Sequence, residues 1–495
     1  MKNLKLIITY IFVLSIVLGN RAYAYDLKGK VHELKLKNGM RWLLVERHQA
    51  PVFSGIVMVR VGGADEEQGK TGLAHMFEHM AFKGSSKLGT SDFSKEKPIL
   101  DQIELTGEEI TKQKLQADAD KKKLTDLETK MQTLSKKAAQ YQIKNEIWEI
   151  MSKNGGSEMN AFTSKDMTAY HSSMPINKLG LWMDITSQMV EDPVFREFYT
   201  EQKVVLEERR DSIENDPIGK IFEKLLKTAF SEGPYKWHVL GELNDIESFT
   251  ISDARDFHNR YYVGSNMVGV LVGDFKTNDV EKLIKKYFEG FPKGDLSKNK
   301  SFFKSDGGGK VTIEFDAEPA VVLAYHKSTL PNSDEFVFDV MQVLLCDGPT
   351  SRLQKQLVYD ERIATSVYCT DSYPGSRYDN LFLIFAEPAG SHTTDELSNK
   401  IKEAMDRLKK EIVPKDELDR VKNKVAASMV YALEENNELA MQLATFETVF
   451  DDWKLLVNYP KSIERVSPQD IKRVAKKYFN DELLTEVVRE KRKGK

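Results

Sequence analysis

His75, Glu78 and His79 sit at a spacing that could hold a divalent metal and activate water on it. In an α-helix, residues four apart project from one face about one turn from each other, so the two imidazoles could share a single ion. Glu78 lies beside them in the order His-x-x-Glu-His. That order inverts the His-Glu-x-x-His zinc motif and leaves the glutamate as general base. The bland alternative is a solvated helix face. Two imidazoles leave a catalytic zinc one protein ligand short, and the third must come from elsewhere in the fold. Glu201, Glu207 and Glu208 are candidates, in a segment that reads as helix from Phe198 to Ser212. Glu201 and Glu208 are two turns apart on one face, whereas Glu207 points about 100° away from Glu208. Glu208 as ligand, with Glu201 behind it orienting a bound histidine, fits the way metal sites are supported. Periodicity alone leaves the choice among these acids open.

The elements that must position these groups follow from patterning. Leu34 and Leu36 alternate with polar residues up to Asn38-Gly39, and Met40 to Val45 resumes as an apolar run, which predicts a hairpin with a type I′ turn. Val52 to Val61 supplies a β-branched strand that ends at Gly62-Gly63, ahead of the motif helix. Strand-rich blocks mixed with long helical ones predict an α+β fold, with helices on one face of a mainly antiparallel sheet. A repeat predicts two such lobes. Thr250 caps a helix reaching Tyr261-Tyr262 before the strand Met267 to Val272, and Ser467 caps one reaching Tyr478-Phe479 before Leu484 to Val488. The second lobe lacks the motif. Its early helix, near Asp334 to Leu345, carries Phe, Val, Met and Leu and should serve packing.

The expected organisation is a signal peptide over 1–24, a metal-binding lobe over 25–292, a Lys/Ser/Asp/Gly-rich linker over 293–310 and a related lobe over 311–495. The signal consists of Lys2 and Lys5, the apolar run Leu6 to Leu18 and the small-x-small site Ala22-Tyr23-Ala24. No later segment has the length of a membrane span, so an exported protein without a stable membrane anchor is expected. Within the first lobe, residues 106–153 are dense in Lys, Glu, Asp and Gln, with Leu124, Leu127, Met131 and Leu134 at helical spacing. They predict a long amphipathic helix or helical hairpin projecting from the lobe. The formal charge of −4 becomes −7 once Lys2, Lys5 and Arg21 leave with a signal that holds no acid, which argues against nucleic acid as partner. Cys346 and Cys369 could pair on export, but two cysteines make no disulfide framework, and buried thiols are expected.

Gly72 to Gly84 around the motif, Asn160-Ala161-Phe162-Thr163-Ser164 and Glu201 to Glu208 together resemble the pitrilysin/insulinase family of zinc peptidases. The similarity is to its short-subunit branch, which includes the mitochondrial processing peptidase and paired bacterial homologues. The resemblance implies zinc held by His75, His79 and Glu208, Glu78 as base and Glu201 as supporting acid. The stretch from His79 to Glu208 is longer than the family usually shows, which implies that residues 106–153 are an insertion remote in space from the metal. It also implies that Asn160, Ala161 and Phe162 lie on an edge strand that takes up substrate by strand addition. Family members that work alone carry an Arg and a Tyr seven residues apart after a Ser-Arg-Leu stretch, to hold the substrate main chain. Here Ser351-Arg352-Leu353 is followed by Val358 and Thr365 at those positions, with Arg362 and Tyr368 out of register. The expected protein is therefore a periplasmic zinc endopeptidase acting on peptides or unfolded segments in an enclosed chamber. It would be the metal-bearing subunit of a heterodimer whose related partner carries the Arg/Tyr pair, with a homodimer as the fallback. The alternative is a non-catalytic peptide-binding scaffold or chaperone subunit with a structural zinc.

Overall fold

A computed structural model describes residues 27–294 and 307–492 of the 495-residue chain. The expected signal peptide, and most of the expected linker, lie outside the described residues. In the first lobe, β1 (Val31–Lys35), β2 (Arg41–Glu46), β3 (Val52–Val59), β4 (Ser157–Thr163), β5 (Thr168–Pro175) and β6 (Met267–Gly273) form one sheet in the order β1-β2-β6-β3-β5-β4. In the second lobe, β7 (Gly309–Phe315), β8 (Ala320–Lys327), β9 (Ala364–Tyr373), β10 (Asn380–Pro388) and β11 (Leu484–Lys491) form another, in the order β7-β11-β8-β10-β9. Apart from the additional edge strand β1, the two orders are the same. Each sheet has a single parallel pair, β2 with β6 and β7 with β11, and is otherwise antiparallel.

The helices that matter to the site are α1 (Leu73–Ala81), α2 (Phe93–Lys114), α3 (Lys121–Ala138), α4 (Glu146–Lys153), α5 (Phe198–Arg209), α6 (Pro217–Ala229), α7 (Ile251–Tyr261), α8 (Asp334–Cys346), α9 (Asn436–Phe450) and α10 (Pro468–Tyr478). The repeated junctions match in detail. Thr250 and Ser467 cap α7 and α10 in full capping boxes closed by Asp253 and Asp470, three residues on. The charged block over residues 106–153 folds into the second half of α2, α3 and α4, with α2 and α3 forming a hairpin. Leu134 and Ala138 are buried against the first-lobe core, Met131 is partly so, and the other face is solvated.

Helices cover one face of each sheet, as patterning predicts. The opposite face is covered as well, in each case by a helix from the other lobe. Ile221, Leu225, Leu226 and Ala229 of α6 pack on Ala320, Val322, Ala324 and Leu383 of the second sheet. Leu439, Ala440, Leu443 and Ala444 of α9 pack on Leu43, Ile56, Met58 and Val270 of the first. Strands β6 and β8 are buried along their whole length for this reason. Polar ties accompany the exchange: Arg47 donates to the carbonyl oxygens of Leu433 and Glu434, and Arg489 to that of Pro217.

Three local expectations are corrected. The β1–β2 connection is a three-residue loop, not a type I′ turn. Gly39 alone takes a positive φ (93°), because the Asn38 side chain turns inward to donate to Phe288 O and accept from Met40 N. Gly309 and Lys310, expected in the linker, already belong to β7. Cys346 and Cys369 are bonded to each other, tying the end of α8 to β9. Their separation of 23 positions along the chain hides a proximity that arises only when α8 packs over that edge strand.

Candidate metal centre

The start of α1 is fixed by contacts that sequence spacing does not reveal. Gly72, at φ 93°, begins the helix, and a Cβ there would meet the Leu240 carbonyl oxygen at 2.5 Å. The buried Glu66 carboxylate accepts the Gly72 and Ala74 N–H groups, both at 2.8 Å, and so closes the helix N-terminus. Burial raises the Glu66 pKa to about 7. Met76, Phe77 and Met80 are buried in the core, and His75, Glu78 and His79 are left on the remaining face.

On that face the imidazoles stand 4.8 Å apart, centre to centre. His75 Nε2 lies 3.5 Å from one Glu208 oxygen, and His79 Nε2 lies 3.5 Å from the other. Ligand atoms about 2.0–2.1 Å from a tetrahedral zinc are separated from one another by about 3.3 Å. The nitrogen and oxygen donors therefore already have close to zinc-ligand spacing. Glu207 turns away to Arg210 and is exposed. Of the acids that periodicity left open, Glu208 is the one that comes within 3.5 Å of both imidazoles. Glu208 is the next-to-last residue of α5, just before a π-helical turn over Arg210–Glu214. The buried Arg209 beside it donates to Gly241 O and Glu223. A Cβ on Gly241 would strike Thr71 O at 2.1 Å, so this loop bridges the ends of the two ligand-bearing helices.

Glu201 stands behind the site, 3.4 Å from His79 Nδ1, and accepts from Lys83 Nζ at 2.5 Å. Lys83, four residues after His79, has no role in the sequence reading, although helical spacing could have suggested one. Burial and the neighbouring His79 push the His75 pKa down to about 4. Burial acts the same way on His79, but Glu201 and Glu208 outweigh it and hold His79 at about 9. The pKa of Glu78 is raised by burial, against a 2.7 Å hydrogen bond donated by Thr163.

Strand β4 is an edge strand, paired only with β5, and it is bulged between Ser157 and Asn160. Asn160 and Ala161 line a cavity of about 310 Å³ together with Glu78, His79, Phe82 and Lys83. Phe162 does not line it; its ring packs on the opposite side of the sheet, toward α9. The opposite wall of the cavity is Gln142 to Trp148, with Trp148 stacked on Phe82 at 5.2 Å. These residues belong to the block expected to be remote from the metal. The block returns to the site because Ile143 N bonds Gly89 O and Glu146 accepts from Gly89 N. In the second lobe, Thr365 bonds Glu387 O, Val358 packs on the core, and Arg352 pairs with Glu417.

Comparison with known proteins identifies the family of the chain. The insulinase family, peptidase family M16, matches residues 41–107 and 125–242, and the M16 inactive domain matches residues 248–425. The zinc protease PqqE of Helicobacter pylori is 26% identical over 484 residues, covering 96% of both chains. The beta subunit of the mitochondrial-processing peptidase of Dictyostelium discoideum is 24% identical over 63% of this chain and 56% of its own. A solved protease structure from Helicobacter pylori superposes with a TM-score of 0.78 at 26% identity, covering 93% of this chain and 99% of that one. The two-lobed chain belongs to the insulinase family of peptidases, M16.

Proposed function

We propose that this chain is a zinc-dependent endopeptidase that cleaves peptides or unfolded segments. The observation that carries the reading is the convergence of His75 Nε2, His79 Nε2 and the Glu208 carboxylate beside a half-buried Glu78. When bound, zinc supplies an acidified water and polarises the scissile carbonyl. The residues of the chain do the rest. The edge of β4 would pair with an extended peptide, so that backbone hydrogen bonds set its register and side chains matter less. Glu78 would take the proton of the attacking water and pass it to the leaving amine. Glu201 would hold His79 in the tautomer that presents Nε2. Glu78 also distinguishes catalysis from a structural ion, which needs no base and has all four positions filled by protein.

We further propose that the chain works in an exported, periplasmic setting as the metal-bearing half of a heterodimer. The support is the signal-like N-terminus together with Val358 and Thr365 at the positions where self-sufficient relatives carry Arg and Tyr. The test is zinc content and cleavage of quenched fluorescent peptides, for the chain alone and mixed with a related subunit. One zinc per chain, with turnover that rises on mixing, is the expected result. Equal turnover in both samples would remove the heterodimer, and absence of both zinc and cleavage would remove the peptidase.

A further inference from the structure

The strand that would take the substrate also holds the base. Thr163, the last residue of β4, places its Oγ1 2.7 Å from Glu78 Oε2. The direction of this hydrogen bond is fixed. Thr163 Oγ1 is 3.5 Å from the Thr168 hydroxyl, and Thr168 commits its own hydrogen to Val61 O at 2.8 Å. The partly buried Glu78 carboxylate is the nearer acceptor and, when ionised, can only accept, so Thr163 is the donor; the Thr163 backbone also hydrogen-bonds to this carboxylate. Because Thr is β-branched, its χ1 is restricted, so the hydroxyl is aimed by the backbone that carries it.

That backbone is held from several sides. Thr163 pairs with Thr168 at the end of the β4–β5 ladder, and Ser164 N closes the turn on Met167 O. Gly63 N and Ala64 N bond Ser164 O and Lys165 O, and a Cβ on Gly62 would meet Ser164 O at 2.3 Å. From the second lobe, the Ser376 and Arg377 N–H groups close on Asp166 at the tip of the hairpin. Both lobes therefore fix the segment that follows the hydroxyl.

We infer that Thr163 is a positioning residue for Glu78, one that registers the general base and the incoming peptide backbone on a single strand. This rests on the peptidase reading above. Strand addition along β4 would seat the peptide against the already fixed backbone that carries Thr163, and the same residue orients the carboxylate, so the base is aligned where a substrate strand is seated.

The test compares Thr163→Val, Thr163→Ser and Glu78→Gln in the zinc-loaded full chain, together with the related subunit if turnover needs it. A hydrogen bond to a charged group is worth about ten- to hundredfold, so Thr163→Val should lower kcat by that factor with KM and zinc content unchanged. Thr163→Ser, which keeps the donor, should recover to within about threefold. Crystal structures of the metal-free variants give a second readout. Glu78 should leave its wild-type position in Thr163→Val and keep it in Thr163→Ser. Unchanged kcat or an unmoved carboxylate in Thr163→Val would overturn the inference, as would equal impairment of the Val and Ser variants. If Glu78→Gln is inactive while Thr163→Val is not impaired, only the role of Thr163 falls. If Glu78→Gln turns over at the wild-type rate, Glu78 is not the base and the role of Thr163 falls with it, whereas absence of both zinc and cleavage in the wild-type protein removes the peptidase reading itself.

Discussion

The two lobes share a strand order and matching capping boxes, yet only one presents a zinc-type donor set. Helix α8 follows β8 as α1 follows β3, and it carries Glu335 and Asp339 at the same four-residue spacing as His75 and His79. Asp371 of the edge strand β9 completes a cluster of carboxylates close enough to share an ion. The second lobe has its own cation there. The Lys327 ammonium, on a fully buried side chain, bonds Glu335 and lies 5.0 Å from the centre of the Phe338 ring. The helix Lys415–Ala432 packs Leu418 and Val425 into that lobe's core, whereas α5 brings Glu208 to α1 in the first. The comparison teaches that the scaffold supplies a helix face beside an edge strand, and the side chains on that face, with those of the helix brought against it, decide whether it presents a zinc-type donor set or an internal ion pair.

Substitutions should separate the lobes cleanly. Glu78→Gln should lose about 10²–10⁴-fold in turnover while keeping zinc and thermal stability, and Asp339→Asn should leave peptide cleavage unchanged. Comparable losses in both variants would mean the second lobe takes part in the chemistry. Glu335→Ala should do the opposite of Glu78→Gln. By leaving the buried Lys327 unpaired it should cost about 3–5 kcal/mol of stability, read from urea unfolding, with activity at low temperature preserved. Glu201→Gln should weaken zinc binding about 10–100-fold, measured by competition with a chelator. A wild-type affinity would show that His79 needs no support.

The smallest effect concerns protons. In the metal-free protein His79, held at about 9, is charged near neutrality, whereas His75, at about 4, is not. Loading zinc at about pH 7 should therefore release about one proton, and affinity should fall as pH drops below the His79 value. The same shift makes the metal-free fold more stable below the ordinary histidine pKa of 6.5 and less so as pH rises through about 9. Calorimetry in two buffers of different ionisation enthalpy reads the released proton, and zero release contradicts the assigned charge state.

What could be read in the sequence was local. The motif helix, the capping boxes at Thr250 and Ser467 and the hairpin stripe through Leu134 each depend on residues within a few turns of one another. Glu208 required the resemblance, since periodicity could not choose it from its neighbours. Thr163, Glu66 and the Gln142–Trp148 wall were out of reach because their roles exist only across strand and loop contacts. The helix exchange was hidden for a related reason. An amphipathic pattern in α6 or α9 shows which side is buried, not which lobe's sheet buries it.

Anomalous diffraction at the zinc absorption edge, from crystals of the zinc-loaded protein, tests the central claim most directly. The account predicts a single strong peak within about 2.1 Å of His75 Nε2, His79 Nε2 and a Glu208 oxygen. A peak at Glu335, Asp339 and Asp371 instead, or a first-lobe peak from which the Glu208 carboxylate is turned away, would contradict it.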